Sequence, residues 1–153
     1  MELKPIVVKS LKGSRDLFLK DLEALPEDAY GKSLGGTART VADIVYEVNL
    51  VNDHVGLVIR SEKAFDWPEG WIKAPANLQT KDLVIESFKK SMEKIIDTAE
   101  SFSEAQLEEK FKTDEGETTR FERLRFITLH NWYHSGQLNF IQTLMGDDTW
   151  HWV

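Results

Sequence analysis

The stretch that decides the fold lies near the end of the chain and reads Leu129-His130-Asn131-Trp132-Tyr133-His134-Ser135-Gly136-Gln137-Leu138. It belongs to a longer helical pattern in which the following residues share one direction: Ile127, His134, Leu138, Ile141 and Met145. His130 falls beside them, so both histidines are expected on the inward face of one helix, four positions apart. The pair predicts either a metal site or two core histidines satisfied by hydrogen bonds.

Composition limits the classes of function. A chain of 153 residues is expected to form a single domain over residues 1–153. The net charge of -7 opposes docking on nucleic acid or anionic lipid. The chain has no cysteine, no apolar leader at its amino terminus and no apolar run long enough to span a membrane. We therefore expect a cytoplasmic protein with neither a nucleic-acid nor a membrane partner.

Apolar residues recur at helical spacing in four long segments, at about residues 3–22, 41–61, 80–102 and 118–145. Thr40 and Thr80 are expected to cap the second and third helices. Ser103 and Gln106 have the spacing of a capping box, which predicts a short helix before the last long one. Gly146 is suited to ending the last helix.

The connections between these helices are unusually long. Residues 23–39 contain Pro26 and three glycines and have no period, so they are expected to cross the bundle rather than turn back tightly. Residues 64–79 form a breaker-rich loop with Trp67 and Trp71, which could cover a pocket or the end of the core. Residues 111–117 are predicted to be a polar loop, and the tail to dock through Trp150 and Trp152. The prediction is an all-α four-helix bundle with long crossover connections and a short extra helix before the last long helix.

Two familiar kinds of metal site do not fit the histidine pair. A zincin protease needs a glutamate directly after the first histidine, and this chain has Asn131 there. A ferritin-like di-iron bundle needs glutamate three residues before a histidine, a spacing that is absent from this sequence.

From His130 to Leu138 the sequence resembles the last-helix motif of the DinB/YfiT-like superfamily of four-helix-bundle metal-dependent enzymes: His, three residues, His, a variable residue, Gly-Gln and an apolar residue. The order and spacing of the helices extend the resemblance over nearly the whole chain. Members complete their site with a histidine about seven residues after the Ser or Thr that opens helix two. Counted from Thr40, that position holds Glu47, so the chain departs from the three-histidine pattern.

The resemblance therefore implies a metal set of Glu47, His130 and His134, with His54 as the alternative third ligand. Glu47 and His54 lie along one flank of helix two, but seven residues separate them, about 10 Å of helix rise, so one ion cannot be reached by both. Two imidazoles and one carboxylate suit Zn, Ni, Fe or Mn and leave open positions. Gln137 is expected either to hold a ligand or substrate or to be a surface or helix-packing amide, and Gly136 to permit close contact between helices.

Two classes of function follow. One is a metal-dependent enzyme, as a small-thiol S-transferase or a hydrolase, in which the ion activates a thiolate or water. Some branches of the resembled superfamily transfer thiols such as bacillithiol or mycothiol to electrophiles. No catalytic residue is assigned, although His54 and Tyr133 are considered as bases. The other class is a non-catalytic ligand-binding or dimeric structural bundle whose metal site is structural, degenerate or empty. The resemblance also implies a homodimer.

Overall fold

The computed structural model describes residues 2–114 and 116–153, and most of these lie in helices. Its helices and strands are, in chain order, α1 (Leu3–Ala24), α2 (Asp28–Gly31), α3 (Val41–Ile59), α4 (Lys81–Ser101), α5 (Glu104–Glu108), β1 (Lys110–Thr113), β2 (Gly116–Thr119) and α6 (Arg120–Leu144). A single 3-10 turn, Ala76–Leu78, precedes α4. The predicted all-α bundle, with its short helix before the last long one, is confirmed.

The four long helices form a ring in which α1 packs against α6 and α4, and α3 packs against the same two helices. Side-chain contacts show their directions. Asn49 contacts Ser87 and Asp53 contacts Lys94, so α3 and α4 run parallel. Arg39 contacts Gln137 while Arg120 contacts Ile59, so α3 and α6 run antiparallel. Parallel neighbours need a chain segment that returns along the bundle, which is the role of residues 60–80.

The inner faces of the four long helices meet in one apolar core. Phe18 of α1 stacks on Phe88 of α4 with ring centroids 4.5 Å apart, and both side chains are fully buried. Burying one such ring stabilises the fold by roughly 2–3 kcal/mol. Within the described ranges, no helix combines the length and the apolar character that crossing a membrane requires.

Helix ends are defined by hydrogen bonds from the caps. Thr40, Ser103 and Thr119 each form a capping box with the residue three positions later, which satisfies two backbone amides at each helix start. Thr80 stands at the predicted cap position of α4, but its side chain makes no capping hydrogen bond. At the other end of α6, Gly146 adopts a φ of 90°, a conformation that glycine takes without steric cost.

Two segments differ from the sequence prediction. The connection after α1 contains the short helix α2, whose Tyr30 is fully buried and donates to the Leu22 carbonyl at 2.6 Å. The predicted loop at residues 111–117, of which residue 115 lies outside the described part, is instead mostly an antiparallel hairpin. Gly116 has a φ of 122° in its turn, and Lys110 pairs with Glu117 across the strands at 2.9 Å. Cross-strand pairing therefore orders a segment that has no apolar period.

Candidate metal centre

Three potential ligands meet where α3 and α6 run side by side. Glu47 comes from α3, while His130 and His134 come from successive turns of α6. The two Nε2 atoms are 3.0 Å apart, and Glu47 Oε1 lies 4.0 Å from that of His130 and 3.9 Å from that of His134. One ligand atom from each residue thus lies within 4.8 Å of the others, in a group that could hold a metal ion.

Burial keeps both imidazoles neutral at physiological pH. The His134 side chain is almost inaccessible and that of His130 is largely buried. Loss of hydration lowers the pKa of each ring to about 4, and the nearby Arg39 charge acts in the same direction. A neutral imidazole is the form that donates a lone pair to a metal, so neither histidine must lose a proton first.

Gln137 fixes the orientation of His134. Its Oε1 atom lies 2.7 Å from His134 Nδ1 and also accepts from Arg39 Nη2 at 3.2 Å. An amide oxygen only accepts, so the His134 proton resides on Nδ1 and the Nε2 lone pair points into the three-residue group. The sequence prediction that Gln137 holds a ligand is consistent with this contact.

Arg39 is a residue that the sequence analysis missed. Its guanidinium pairs with Glu47 Oε2, which leaves Oε1 directed at the histidines. It also lies 5.0 Å from the Trp71 ring centroid, in a cation–π contact. Arg39 stands in an aperiodic connection directly before the α3 cap, and its one sequence signal was that position beside a predicted helix start.

A cavity of about 520 Å³ opens beside the group. Arg39 and Gln137 form its polar edge, and Tyr133, whose ring centroid is 4.9 Å from that of His134, also lines it. Trp71 contributes another wall, so the aromatic loop does border a pocket. Cavities of this size hold small organic molecules.

The remaining candidates lie elsewhere or serve other contacts. His54 is outside the three-residue group and packs edge-on against Phe65 and Trp67, with ring centroids 5.3 and 5.9 Å away. Asn131 faces α1 and donates to Ser14 Oγ at 3.1 Å. The expectation that Gly136 permits close helix contact is wrong, because a Cβ atom there would meet nothing within 4 Å. Gly136 instead lines the cavity.

The donor set fits a divalent transition metal. Ligand atoms about 2.1 Å from a tetrahedral ion are about 3.4 Å from one another. To reach that spacing, the two histidine Nε2 atoms, now 3.0 Å apart, would separate by roughly half an ångström. Glu47 Oε1 would approach them by about the same amount. Among the residues that the structure describes, the geometry offers three protein ligands, which is the number of an open site rather than of a closed structural zinc site.

Comparisons with known proteins agree with this fold. A family model of the DinB superfamily matches residues 10–138. A conserved protein from Enterococcus faecalis has a similar structure, with a TM-score of 0.74, 15% identity, and coverage of 96% of this chain and 99% of that one. A DinB-like protein from Bacillus subtilis has a TM-score of 0.71 at 18% identity, with 92% of each chain covered. No match is found among curated proteins.

A helical bundle with a Glu/His/His group between two of its long helices defines a class of proteins able to hold a metal ion. Within that class, the family match over most of the chain is decisive, and this protein belongs to the DinB superfamily.

Proposed function

We propose that this protein is a metal-dependent enzyme in which Glu47, His130 and His134 bind one divalent transition metal, Zn, Ni, Fe or Mn. The observation that carries the proposal is the convergence of three ligand atoms within 4.8 Å of one another, in contact with Arg39 and Gln137, which line a cavity. Both imidazoles are neutral there, with each pKa lowered to about 4 by burial. His54 is set aside as third ligand because it packs in a separate aromatic cluster.

The reaction class that suits this arrangement is transfer of a small thiol to an electrophile, with hydrolysis as the variant that uses water. A divalent ion in such a site lowers the pKa of a thiol or water and so supplies the nucleophile. In the transfer, the sulfur–hydrogen proton leaves to solvent, a sulfur–carbon bond forms, and the leaving group departs with its electron pair.

The chain's own residues would position and shield this chemistry. Gln137 holds His134 in the tautomer that frees Nε2, and Arg39 holds the second oxygen of Glu47. Tyr133 lies at the cavity wall beside His134, where its hydroxyl could hydrogen-bond a reactant. His54, the other residue considered as a base, lines a different cavity.

One observation favours the alternative, a non-catalytic bundle that binds a small ligand without a metal. The Arg39 guanidinium already neutralises Glu47, and the two histidine Nε2 atoms lie within hydrogen-bonding distance at 3.0 Å. These two contacts can form without an ion, as in a degenerate metal site, although the buried His130 Nδ1 atom has no hydrogen-bond partner among the described residues.

A homodimer and a single domain over residues 1–153 remain part of the proposal. Support for the dimer comes from exposed apolar side chains on the outer face of α6 that do not line the cavity, namely Phe126 and Leu129. Exposed apolar patches of this kind are typical of protein interfaces.

Metal uptake tests the central claim. Titration of metal-free protein with Zn²⁺, followed by elemental analysis, should show one ion per chain in the wild type. His134→Ala should abolish tight uptake and Glu47→Ala should weaken it strongly. Gln137→Ala should retain one site but lose about 10- to 100-fold in affinity, since it removes the group that orients a ligand.

His54→Ala provides the matched control, because it removes a histidine of α3 that lies outside the group, and this variant should bind metal as the wild type does. A wild type that takes up no metal would overturn the proposal. So would a His134→Ala variant with unchanged affinity for Zn²⁺.

The reaction class is tested with a panel of low-molecular-weight thiols and electrophiles, which should give metal-dependent turnover. Complete absence of turnover would favour the non-catalytic alternative.

A further inference from the structure

We propose that the cavity beside Arg39 binds a small amphipathic organic anion, with a carboxylate-type head at Arg39 and an apolar or aromatic body along the α6 wall. This inference rests on the proposed function, since it names the ligand class of the same site. Below, "the Arg39 cavity" means the space bordered by Arg39, Ile44, Trp71, Gln137 and Phe140.

The walls of the Arg39 cavity are predominantly apolar. Ile44 comes from α3, Trp71 from the aromatic loop, and Phe140 from the turn of α6 that follows Gln137. The Trp71 and Phe140 side chains are 67% and 63% exposed, although both are large and hydrophobic. Covering such surfaces with an apolar ligand releases water from them, which favours a ligand with a hydrophobic body.

Arg39 is the one charged residue among those that line the cavity in the described part of the chain. Its side chain is nine-tenths buried, with a relative exposure of 10%. A guanidinium has five N–H groups, and the described contacts with Glu47 and Gln137 use one terminal nitrogen each. N–H groups remain to donate to an anion, and a planar carboxylate matches the geometry of the guanidinium fork.

The formal charge of the site makes this preference depend on the metal. Without an ion, the positive Arg39 and the negative Glu47 form an ion pair, and their formal charges cancel. A divalent ion would raise the sum to two positive charges beside a cavity that has no acidic lining residue among those described. An anionic head should therefore bind more tightly to the metal-loaded protein.

The charge of the whole molecule excludes long-range attraction as the source of affinity. At a net charge of -7, the protein repels anions at a distance. A bare inorganic anion is thus disfavoured, because it gains neither steering nor apolar burial. An organic anion gains both the contact with Arg39 and the hydrophobic walls.

Calorimetry with a defined probe tests the inference. Zn²⁺-loaded protein is titrated with 4-phenylbutyrate and with 4-phenylbutyramide, a neutral molecule of nearly the same shape. We expect the acid to bind about tenfold or more tightly than the amide, which corresponds to one charge-assisted hydrogen bond. Removal of Zn²⁺ should lower the ratio between the affinity for the acid and the affinity for the amide.

Glycine substitutions provide a matched pair of variants. Gly136→Leu places a side chain in the Arg39 cavity, and its Cβ atom meets no other atom within 4 Å. Gly13→Leu adds the same side chain on the exposed face of α1, away from the cavity, and its Cβ atom is equally free of contacts. The first should weaken 4-phenylbutyrate binding about tenfold or more, because the leucine occupies the ligand's space. The second should bind the probe as the wild type does.

A second pair keeps the test decisive if Gly136→Leu fails to fold. Phe140→Glu adds a negative charge at the cavity wall, whereas Leu83→Glu adds one at an exposed site on α4. Phe140→Glu should weaken binding of the acid more than binding of the amide, and Leu83→Glu should change the binding of neither probe. Zn²⁺ uptake is measured for every variant to verify an intact site.

The outcomes separate the two proposals. Zn²⁺ uptake without preference for the acid, or with equal binding by Gly136→Leu and Gly13→Leu, overturns the ligand inference and leaves the metal site standing. A protein that takes up no Zn²⁺ overturns the proposed function and this inference together. The inference is supported if the wild type prefers the acid, Gly136→Leu binds the acid about tenfold or more weakly, and Phe140→Glu reduces the preference, while Gly13→Leu and Leu83→Glu bind as the wild type does.

Discussion

At the residue scale, Arg39 connects the two halves of the candidate metal centre. Its guanidinium contacts Glu47 on α3 and Gln137 on α6, and Gln137 in turn contacts His134. The three ligands are therefore held by contacts among themselves and by this one cation. Such supporting contacts determine how well ligands are oriented before an ion arrives.

The two histidines make the stability of the metal-free protein depend on pH. Each folded-state pKa is lowered from 6.5 to about 4, so between these values the unfolded chain binds protons that the folded chain does not. Stability should fall as the pH decreases through 6.5 towards 4, by up to about 3 kcal/mol for each histidine. Urea unfolding of metal-free protein across this range measures the effect.

The variant His130→Gln/His134→Gln should lose most of this pH dependence, since glutamine does not titrate. Parallel stability curves for the wild type and the double variant would contradict the assignment of the effect to these residues.

How far residues could be predicted depended on whether a helical period contained them. His130 and His134 lie on one helix face by spacing alone, whereas Glu47 was implied by the resemblance to the DinB/YfiT-like superfamily, whose third ligand position was counted from Thr40. Arg39 has no such constraint, because its position depends on how an aperiodic connection returns to α3. Gly136 was misjudged for a similar reason, since spacing does not show whether a neighbouring helix lies against a glycine.

At the scale of single elements, the caps differ in what they contribute. Thr119→Ala removes a side chain that accepts from Glu122 N, and should destabilise the protein by about 1 kcal/mol. Thr80→Ala removes a residue at the same helix position that makes no capping hydrogen bond, and should cost only a few tenths of a kcal/mol. Thermal unfolding of the two variants compares them directly, and equal losses would contradict this difference.

Elements with a sustained period were predicted well, and short ones were not. The bounds of α3 and α6 differ from the prediction by about two residues, because long apolar stripes specify them. The helix α2 has four residues, too few to show a period. The hairpin is stabilised by pairing between strands of four residues each, which a local pattern of polar residues does not reveal.

At the scale of the whole molecule, the chain after α6 is tied back to α1. Trp152 Nε1 donates to Asp21 Oδ1 at 2.6 Å, and Ser135 Oγ donates to the other oxygen of that carboxylate. Asp21 is almost inaccessible, and burial raises its pKa while these hydrogen bonds act in the opposite direction. The carboxylate thus depends on its partners for the hydration that it has lost.

Trp152→Phe should therefore destabilise the protein by about 1–3 kcal/mol, because it keeps an aromatic ring but leaves a buried carboxylate oxygen with one partner fewer. Trp150→Phe is the control, since the Trp150 side chain is 64% exposed, and should cost less than about 0.5 kcal/mol. Chemical denaturation at neutral pH gives both values, and equal effects would argue against the importance of the Asp21 contact.

Long connections indicated crossovers, but helix directions needed the structure. The 21 residues between the end of α3 and the start of α4 are enough either to run back along the bundle or to form a large loop at one end of it. Only the side-chain contacts show that the two helices run parallel. Docking of the tail was expected from its two tryptophans. That Asp21 is the partner of Trp152 was not expected, because the two residues lie more than a hundred positions apart in the sequence.

The placement of Arg39 has a consequence for the rates at which the site opens and closes. The three ligands are carried by long helices, whereas Arg39 is carried by a connection with mostly exposed residues. Segments of this kind open locally at a much lower free energy than the helices do, and their amides exchange hydrogen sooner. Local opening of residues 32–39 would then separate Arg39 from Glu47 while the long helices stay folded. A metal ion could enter or leave the site in this way without unfolding of the protein.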